Sequence, residues 1–312
     1  MIYTVTLNPA IDLVIITQNL KPEVVNRTQS FELQPNGKGV NVSFILKKLG
    51  VENIATGIGG GFTLDYVCEG LKNKGIKTNF LKVKDPTRVN VFTRVLSDDV
   101  EYKEVNPGPN VSSEIQDKFL DYLEENVQKG DSVIISGSFS KGISPDYLVK
   151  IAQITQKKSA HLVVDSNYKE VVDTVKYHPF LLKPNDHELA SWFGKENASL
   201  DELLEMAQKI VDQGVQNILL SLGADGAALI NKDHIYIGNA SKIKVVNTAC
   251  SGDTMLGTFI AYLEKGVSAD QALKHAIAAG SDTASRSGLT DFKRTDELEK
   301  QINITERNRT YD

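Results

Sequence analysis

Short apolar runs that end in glycine or small polar residues and lead into helical patterns recur along this chain, and that alternation limits the fold more than any other feature. Residues 2–7, 54–58, 132–136, 161–164 and 217–221 are strand-like and largely apolar, with no polar face. Runs of that kind suit strands covered on both sides, as in a parallel sheet. Helical spacing at Val42, Ile45, Leu46 and Leu49 stops at Gly50, a second helix over 63–74 stops at Gly75, and a third follows Pro145. These supply the crossovers that parallel strands need, so the expected class is α/β with a mainly parallel central sheet. The last part of the sequence predicts two small-residue-rich helices, 268–279 and 281–287, that pack closely.

Two stretches depart from the rhythm. Residues 87–96 and 100–105, joined by Ser97-Asp98-Asp99, read as a β-hairpin. With strands expected over 11–16 and 31–34 they predict an accessory sheet, formed by insertions at about 11–35 and 86–108, lying over a site as a water-excluding lid. Alternation divides Arg88, Asn90, Thr93 and Arg94 between faces, so not all of them reach one ligand. A small sheet outside the core leaves one face to be covered, which predicts a homodimer through the lids.

Composition narrows the partner. A chain of 312 residues with net charge −5 and no basic run is a poor match for nucleic acid or an anionic membrane surface, so a small ligand is expected. The whole of 1–312 is read as one domain. Residues 1–5 begin as a strand and lack the features of a signal peptide, and no apolar run approaches the roughly 18 residues of a membrane span, so the expected location is the cytoplasm. Two cysteines, Cys68 and Cys250, make no disulfide framework.

The stretch Val245-Val246-Asn247-Thr248-Ala249-Cys250-Ser251-Gly252-Asp253 predicts a β-rich run, a tight turn and the mouth of an apolar helix. Backbone N–H groups at such a turn converge on an anion. Asp253 reads either as a first-turn charge or as a base for an alcohol proton beside that anion. Asp12, between two apolar runs, marks a turn or holds sugar hydroxyls. Gln34-Pro35-Asn36-Gly37-Lys38-Gly39-Val40-Asn41 is a glycine loop opening a helix, with Lys38 placed to meet a phosphate and Asn41 to point an amide into the same space. Asn185 and Glu188 form either a capping pair or a link to a magnesium ion through water. Ser221-Leu222-Gly223-Ala224-Asp225-Gly226 offers backbone donors to nucleotide phosphates without being a Walker loop.

Taken in order, Leu7 to Asp12, Asn36 to Val42, Thr87-Arg88-Val89-Asn90-Val91, Ser136-Gly137-Ser138, Lys183-Pro184-Asn185 with Glu188, Ser221 to Gly226 and Ser251-Gly252-Asp253-Thr254 resemble the ribokinase-like carbohydrate kinases of the PfkB type over essentially the whole length. The resemblance implies a three-layer α/β/α sandwich with a small β-sheet lid. It also implies a kinase that uses ATP and Mg2+ on a phosphosugar, with Asp253 as catalytic base and Cys250, Ser251 and Gly252 as the anion hole. Asp12, Gly37, Lys38, Asn41, Arg88, Asn90 and Ser138 would hold the sugar phosphate. Lys183, Ser221, Gly223 and Gly226 would lie along ATP, and Asn185 with Glu188 would be the magnesium-linked element.

Three positions depart from that pattern. Asn36 replaces a glycine and is expected to keep the turn by tolerating positive φ. Cys250 replaces another and is expected to strain the anion hole, and Phe44 stands where an arginine is common. Lys38, expected beside Arg88 as a second cation, suits a phosphorylated sugar over a neutral one, and Lys38 with Thr87-Arg88-Val89-Asn90-Val91 and Asn106-Pro107-Gly108-Pro109 looks most similar to the 1-phosphofructokinase branch. That branch implies transfer to the C6 hydroxyl of D-fructose 1-phosphate. Tagatose 6-phosphate or fructose 6-phosphate is the alternative substrate, and a catalytically silent sugar-phosphate sensor is the alternative outside enzymes.

Overall fold

Strand β1 (Ile2–Thr6) is an interior strand of a ten-stranded sheet, third from one edge, and every one of its residues is buried. On one side of it run β4 (Asn53–Gly60) and β5 (Lys77–Val83); on the other run β8 (Ser132–Ser136), β9 (His161–Asp165), the two-residue β10 (Leu181–Leu182) and β11 (Asn217–Ser221), all parallel. Three antiparallel strands finish this edge: β12 (Ala227–Asn231), β13 (Ile235–Gly238) and β14 (Ile304–Arg307). The computed structural model describes residues 1–308.

Alternation along the strands divides the core into two. Val133, Ile135, Leu162 and Val164 face α3 (Ser113–Asn126), α4 (Tyr147–Lys157), α5 (Asp186–Trp192) and α6 (Leu200–Asp212), while Ile134 and Val163 between them face α1 (Lys38–Lys48), α7 (Ser251–Glu264) and α8 (Ala269–Ala284). The three-layer sandwich follows from that division. Helix α2 (Gly61–Asn73) packs Val67 and Leu71 on Ile11 and Val40, tying the second sheet to the first, and α9 (Thr295–Glu299) seats Leu298 under α8.

The second sheet has the order β3 (Ser30–Asn36), β2 (Ala10–Thr17), β6 (Arg88–Val95), β7 (Val100–Glu104). Strands β2 and β6 pair in parallel with Asp12 opposite Asn90, and β2 and β3 pair antiparallel with Ala10 opposite Asn36. That register gathers three polar side chains at the root of the lid.

Two expectations fail here. Residues 268–287 do not form two helices: α8 continues through Gly280, where a Cβ would lie 3.3 Å from the Ser251 carbonyl oxygen on α7. The glycine is a packing contact and not a break. Val245 and Val246 are no strand either; both are exposed, and the Val246 N–H bonds the Ala284 carbonyl at 2.8 Å.

Candidate active site

The parallel strands β8, β9, β10 and β11 end on one edge, where Ser136, Asp165, Lys183 and Ser221 stand at or just past the strand ends. Open α/β sheets hold their ligands at this edge. Asp165 is 1% exposed, and its Oδ1 takes Lys38 Nζ at 3.1 Å and Lys183 Nζ at 3.3 Å. Burial pushes its pKa up, but Lys183 and Lys38 together outweigh burial and hold it below the usual carboxylate range. The Lys38 ammonium is in turn raised above its ordinary value, chiefly by Asp165. Asp165 Oδ2 is buried without a protein partner among the described residues. Nothing in the sequence motifs marked Asp165; its place at the carboxyl end of a buried strand was the available signal.

Asp253 is the third residue of α7, whose N-cap is Cys250. Its buried carboxylate accepts the Asn41 amide at 2.8 Å, reaching across to α1 instead of capping its own helix. Burial is the main influence that pushes its pKa up to about 6, with Asp165 adding to it and Lys38, Asn41 and Lys183 opposing. A carboxylate tuned toward neutral pH is a competent proton acceptor there. The Ser251 N–H returns to the Thr248 carbonyl at 3.3 Å, so the first-turn donors without an intrahelical partner are those of Gly252 and Asp253, one residue later than expected.

Cys250 does adopt the left-handed conformation, φ 64° and ψ 0°, a region that costs a side-chain-bearing residue about 1–2 kcal/mol. Burial first, then Asp253 and Asp12, push its thiol up to about 12, so it stays protonated. A Cβ on Gly252 would lie 3.2 Å from Lys183 Nζ, which places that ammonium directly against the turn. Asn36, in contrast, needs no positive φ. It ends β3, and the turn is made by Gly37 at φ 132°, whose missing Cβ would press on Thr6 and Pro9.

At the lid root Asp12 is 8% exposed. Its Oδ1 accepts Asn90 Nδ2 at 2.8 Å and its Oδ2 accepts Asn36 Nδ2. Burial raises its pKa against these bonds and the charge of Arg88. Asn90 Oδ1 also accepts the Asn106 N–H at 3.2 Å, so the side chain is held at both ends beside Asp12, with one of its two amide hydrogens spent on that carboxylate. Arg88 donates to the carbonyls of Asn106 and Asn8 at 3.2 and 3.3 Å, while its buried Nε lacks a partner among the described residues. In this structure Lys38 joins Lys183 around Asp165, while Arg88 holds the carbonyls of Asn106 and Asn8 and lends its charge to Asp12. Ser138 accepts Asn8 Nδ2 at 3.3 Å near the same place.

Asn185 and Glu188 form a full capping box at the start of α5, with the Asn185 N–H on Glu188 Oε2 at 2.9 Å and the Glu188 N–H on Asn185 Oδ1 at 2.7 Å. The box uses one carboxylate oxygen of Glu188, and Glu188 is close enough to add to the charge felt by Lys38. Gly223 has φ 57° and open space where a Cβ would stand, which leaves its backbone approachable. Gly226 differs: its N–H closes the turn on the Gly223 carbonyl at 3.3 Å, and a Cβ would strike the Gly238 carbonyl, so it shapes the turn. Ser221 Oγ reaches the Pro184 carbonyl at 3.5 Å.

Between lid and sandwich lies a cavity of about 540 Å³ floored by Asp12, Asn36, Asn41 and Cys250 and walled by Val14, Phe92 and Phe44. Asp253 stands one hydrogen bond behind this floor, on Asn41. What such groups can do together is move a phosphoryl group onto an alcohol. A base near neutral pKa takes the proton, while lysines and helix N–H groups meet the charge on the transferring group.

The comparisons agree. Residues 5–296 match the model of the pfkB family carbohydrate kinases. A D-tagatose-1-phosphate kinase of Bacillus licheniformis is 40% identical over 98% of this chain and 99% of its own. A 1-phosphofructokinase of Bacillus subtilis is 33% identical over 98% and 99%. The structure of Escherichia coli phosphofructokinase-2 in complex with substrates and products superposes with a TM-score of 0.87 at 26% identity, covering 96% of this chain and 98% of that one. The chain belongs to the PfkB family of carbohydrate kinases and is a phosphosugar kinase. No helix among the described residues is long and apolar enough to cross a membrane.

Proposed function

We propose that this kinase transfers the γ-phosphoryl group of ATP to the C6 hydroxyl of a ketohexose 1-phosphate, with D-tagatose 1-phosphate as first substrate and its C4 epimer D-fructose 1-phosphate as second. The observation that supports the chemistry is the buried Asp253, pushed up to about 6 and held by Asn41 at the floor of the cavity. The order of substrates rests on relatives named for D-tagatose 1-phosphate at 40% identity and for fructose 1-phosphate at 33%.

In this reading Asp12 takes sugar hydroxyls, and Arg88, whose Nε has no protein partner among the described residues, takes the 1-phosphate with Ser138 nearby. Asp253 removes the proton of the C6 hydroxyl as that oxygen attacks the γ-phosphorus and the bond to the departing ADP breaks. Lys38 and Lys183 sit where charge builds on the phosphoryl oxygens, joined by the Gly252 and Asp253 N–H groups. The open backbone at Gly223, with Ser221, borders the nucleotide. The orphaned Asp165 Oδ2 and the carboxylate of Glu188 suit a hydrated magnesium ion, with Asn185 holding Glu188 in place. Bound there, magnesium would neutralise nucleotide phosphate charge. We further read residues 1–312 as one kinase unit with the second sheet as its lid.

Steady-state assays with tagatose 1-phosphate, fructose 1-phosphate, tagatose 6-phosphate and fructose 6-phosphate test the assignment. The 1-phosphates are expected to exceed both 6-phosphates by at least about tenfold in kcat/KM, a margin set by where one phosphate group must bind. A 6-phosphate preferred by that margin would sink it.

The lid also carries an exposed apolar outer face: Phe31 is 69%, Leu33 39% and Tyr102 53% exposed, on positions alternate to Glu32, Lys103 and Glu101, which line the cavity. A homodimer that packs these faces together accounts for them. Light scattering at micromolar protein is expected to give twice the 34.3 kDa chain mass; a monomer with and without substrate would rule this out.

A further inference from the structure

We infer that Asn36 is a positioning residue that sets which C4 epimer of the ketohexose 1-phosphate is phosphorylated, acting through Asp12; this rests on the ketohexose 1-phosphate reading above. Asn36 touches both ends of the site. Its Nδ2 donates to Asp12 Oδ2, while its Oδ1 accepts the Gly37 N–H at 2.5 Å and the Asn41 amide at 2.9 Å. Asn41 donates in turn to Asp253 at 2.8 Å. A continuous series of side-chain hydrogen bonds thus runs from Asp12 through Asn36 and Asn41 to the base.

The series has a consequence for stereochemistry. Each carboxylate oxygen of Asp12 accepts one asparagine amide, from Asn90 or Asn36, and each keeps further acceptor capacity for the cavity. Asn90 and Asn36 come from strands on opposite sides of β2, so together they fix the carboxylate plane as neither could alone. In the furanose ring, with the C6 hydroxyl at Asp253 and the phosphate on C1 at the other end, the hydroxyls on C2, C3 and C4 remain, and those on C3 and C4 lie between the two ends where Asp12 meets them. D-tagatose and D-fructose differ only in the direction of the C4 hydroxyl. A carboxylate held in one plane accepts one of these directions well and the other poorly. Freed from Asn36, it rotates about its χ2 axis and meets both.

Asn36→Ala and Asn36→Ser test this, with thermal unfolding recorded for each. The quantity read is the ratio of kcat/KM for tagatose 1-phosphate to that for fructose 1-phosphate, in wild type and variants. Both variants are expected to move the ratio toward one by about tenfold, the worth of one well-placed hydrogen bond. Loss of activity on both epimers with the ratio kept within threefold of wild type would mean that Asn36 only supports the loop, and would overturn the inference. A wild-type ratio already within threefold of one would overturn it too. Wild-type enzyme that turns over neither 1-phosphate but does turn over a 6-phosphate removes the underlying reading instead, and is recognised without any variant. Serine keeps a polar group at the strand end, so the test stands if alanine alone folds poorly.

Discussion

Asp253→Asn is expected to lower kcat by about 10²–10⁴, the usual contribution of a general base, with little change in substrate affinity. The substitution keeps the shape and the acceptor that Asn41 uses at 2.8 Å, and removes only the ability to take a proton. A helix cap would behave otherwise, because asparagine caps about as well as aspartate; but Asp253 stands inside the first turn, and its carboxylate points to α1, so capping is not its work. The pH profile gives a second, independent reading. The base acts when ionised, and its pKa is pushed up to about 6, so wild-type kcat/KM should rise with pH through about 6 and level above it. The residual rate of Asp253→Asn should lack that limb. A variant within tenfold of wild type, or one that keeps the limb, would move the base elsewhere.

Much of this architecture could be read from the chain because its signals are local. The strand 217–221 begins and ends where an apolar run meets polar neighbours, and α2 stops beside Gly75. The failures have tertiary causes. Gly280 looked like a helix end, yet it lies inside α8 because α7 passes too near for a side chain. Val245 and Val246 have strand composition, but the N–H groups of Val246 and Asn247 bond Ala284 at the end of α8, and no strand among the described residues pairs with them. Strand β14 pairs with β13 from over sixty residues away, as Ile304 opposite Gly238, and no local pattern carries that partnership.

The site divides the same way. Asp253 and Asp12 stood out by residue type and position; Asp12 lines the cavity, and Asp253 stands behind it on Asn41. How the groups between them connect was not legible: Asn90, expected to hold the sugar phosphate, donates to Asp12, and Asn36, expected to serve the turn, bridges Asp12 to Asn41. Hydrogen-bond direction depends on register between strands that are remote in sequence. The pairing of Lys38 with Lys183 was hidden for a related reason. It depends on a third group, Asp165, whose carboxylate lies on a strand remote in sequence from both lysines.

Asp165→Asn should therefore be the most destabilising single change in the site, by about 3–5 kcal/mol in equilibrium unfolding at pH 7. The magnitude rests on Lys183, which is 5% exposed and would keep its charge beside a neutral amide. The bond to Lys38 adds little to it, since that side chain is 41% exposed and water screens the pair. The sign with pH is set by the lowered pKa of Asp165: its contribution is present above the ordinary aspartate value near 3.9 and is lost as pH falls through the lower, folded-state value. At pH 7 the full difference between wild type and variant should appear. Adding Lys183→Met to Asp165→Asn removes the stranded charge, so the double variant should be more stable than Asp165→Asn alone. Losses that simply add would show that the buried ion pair is not what holds this edge together, and that Asp165 stabilises it through other contacts.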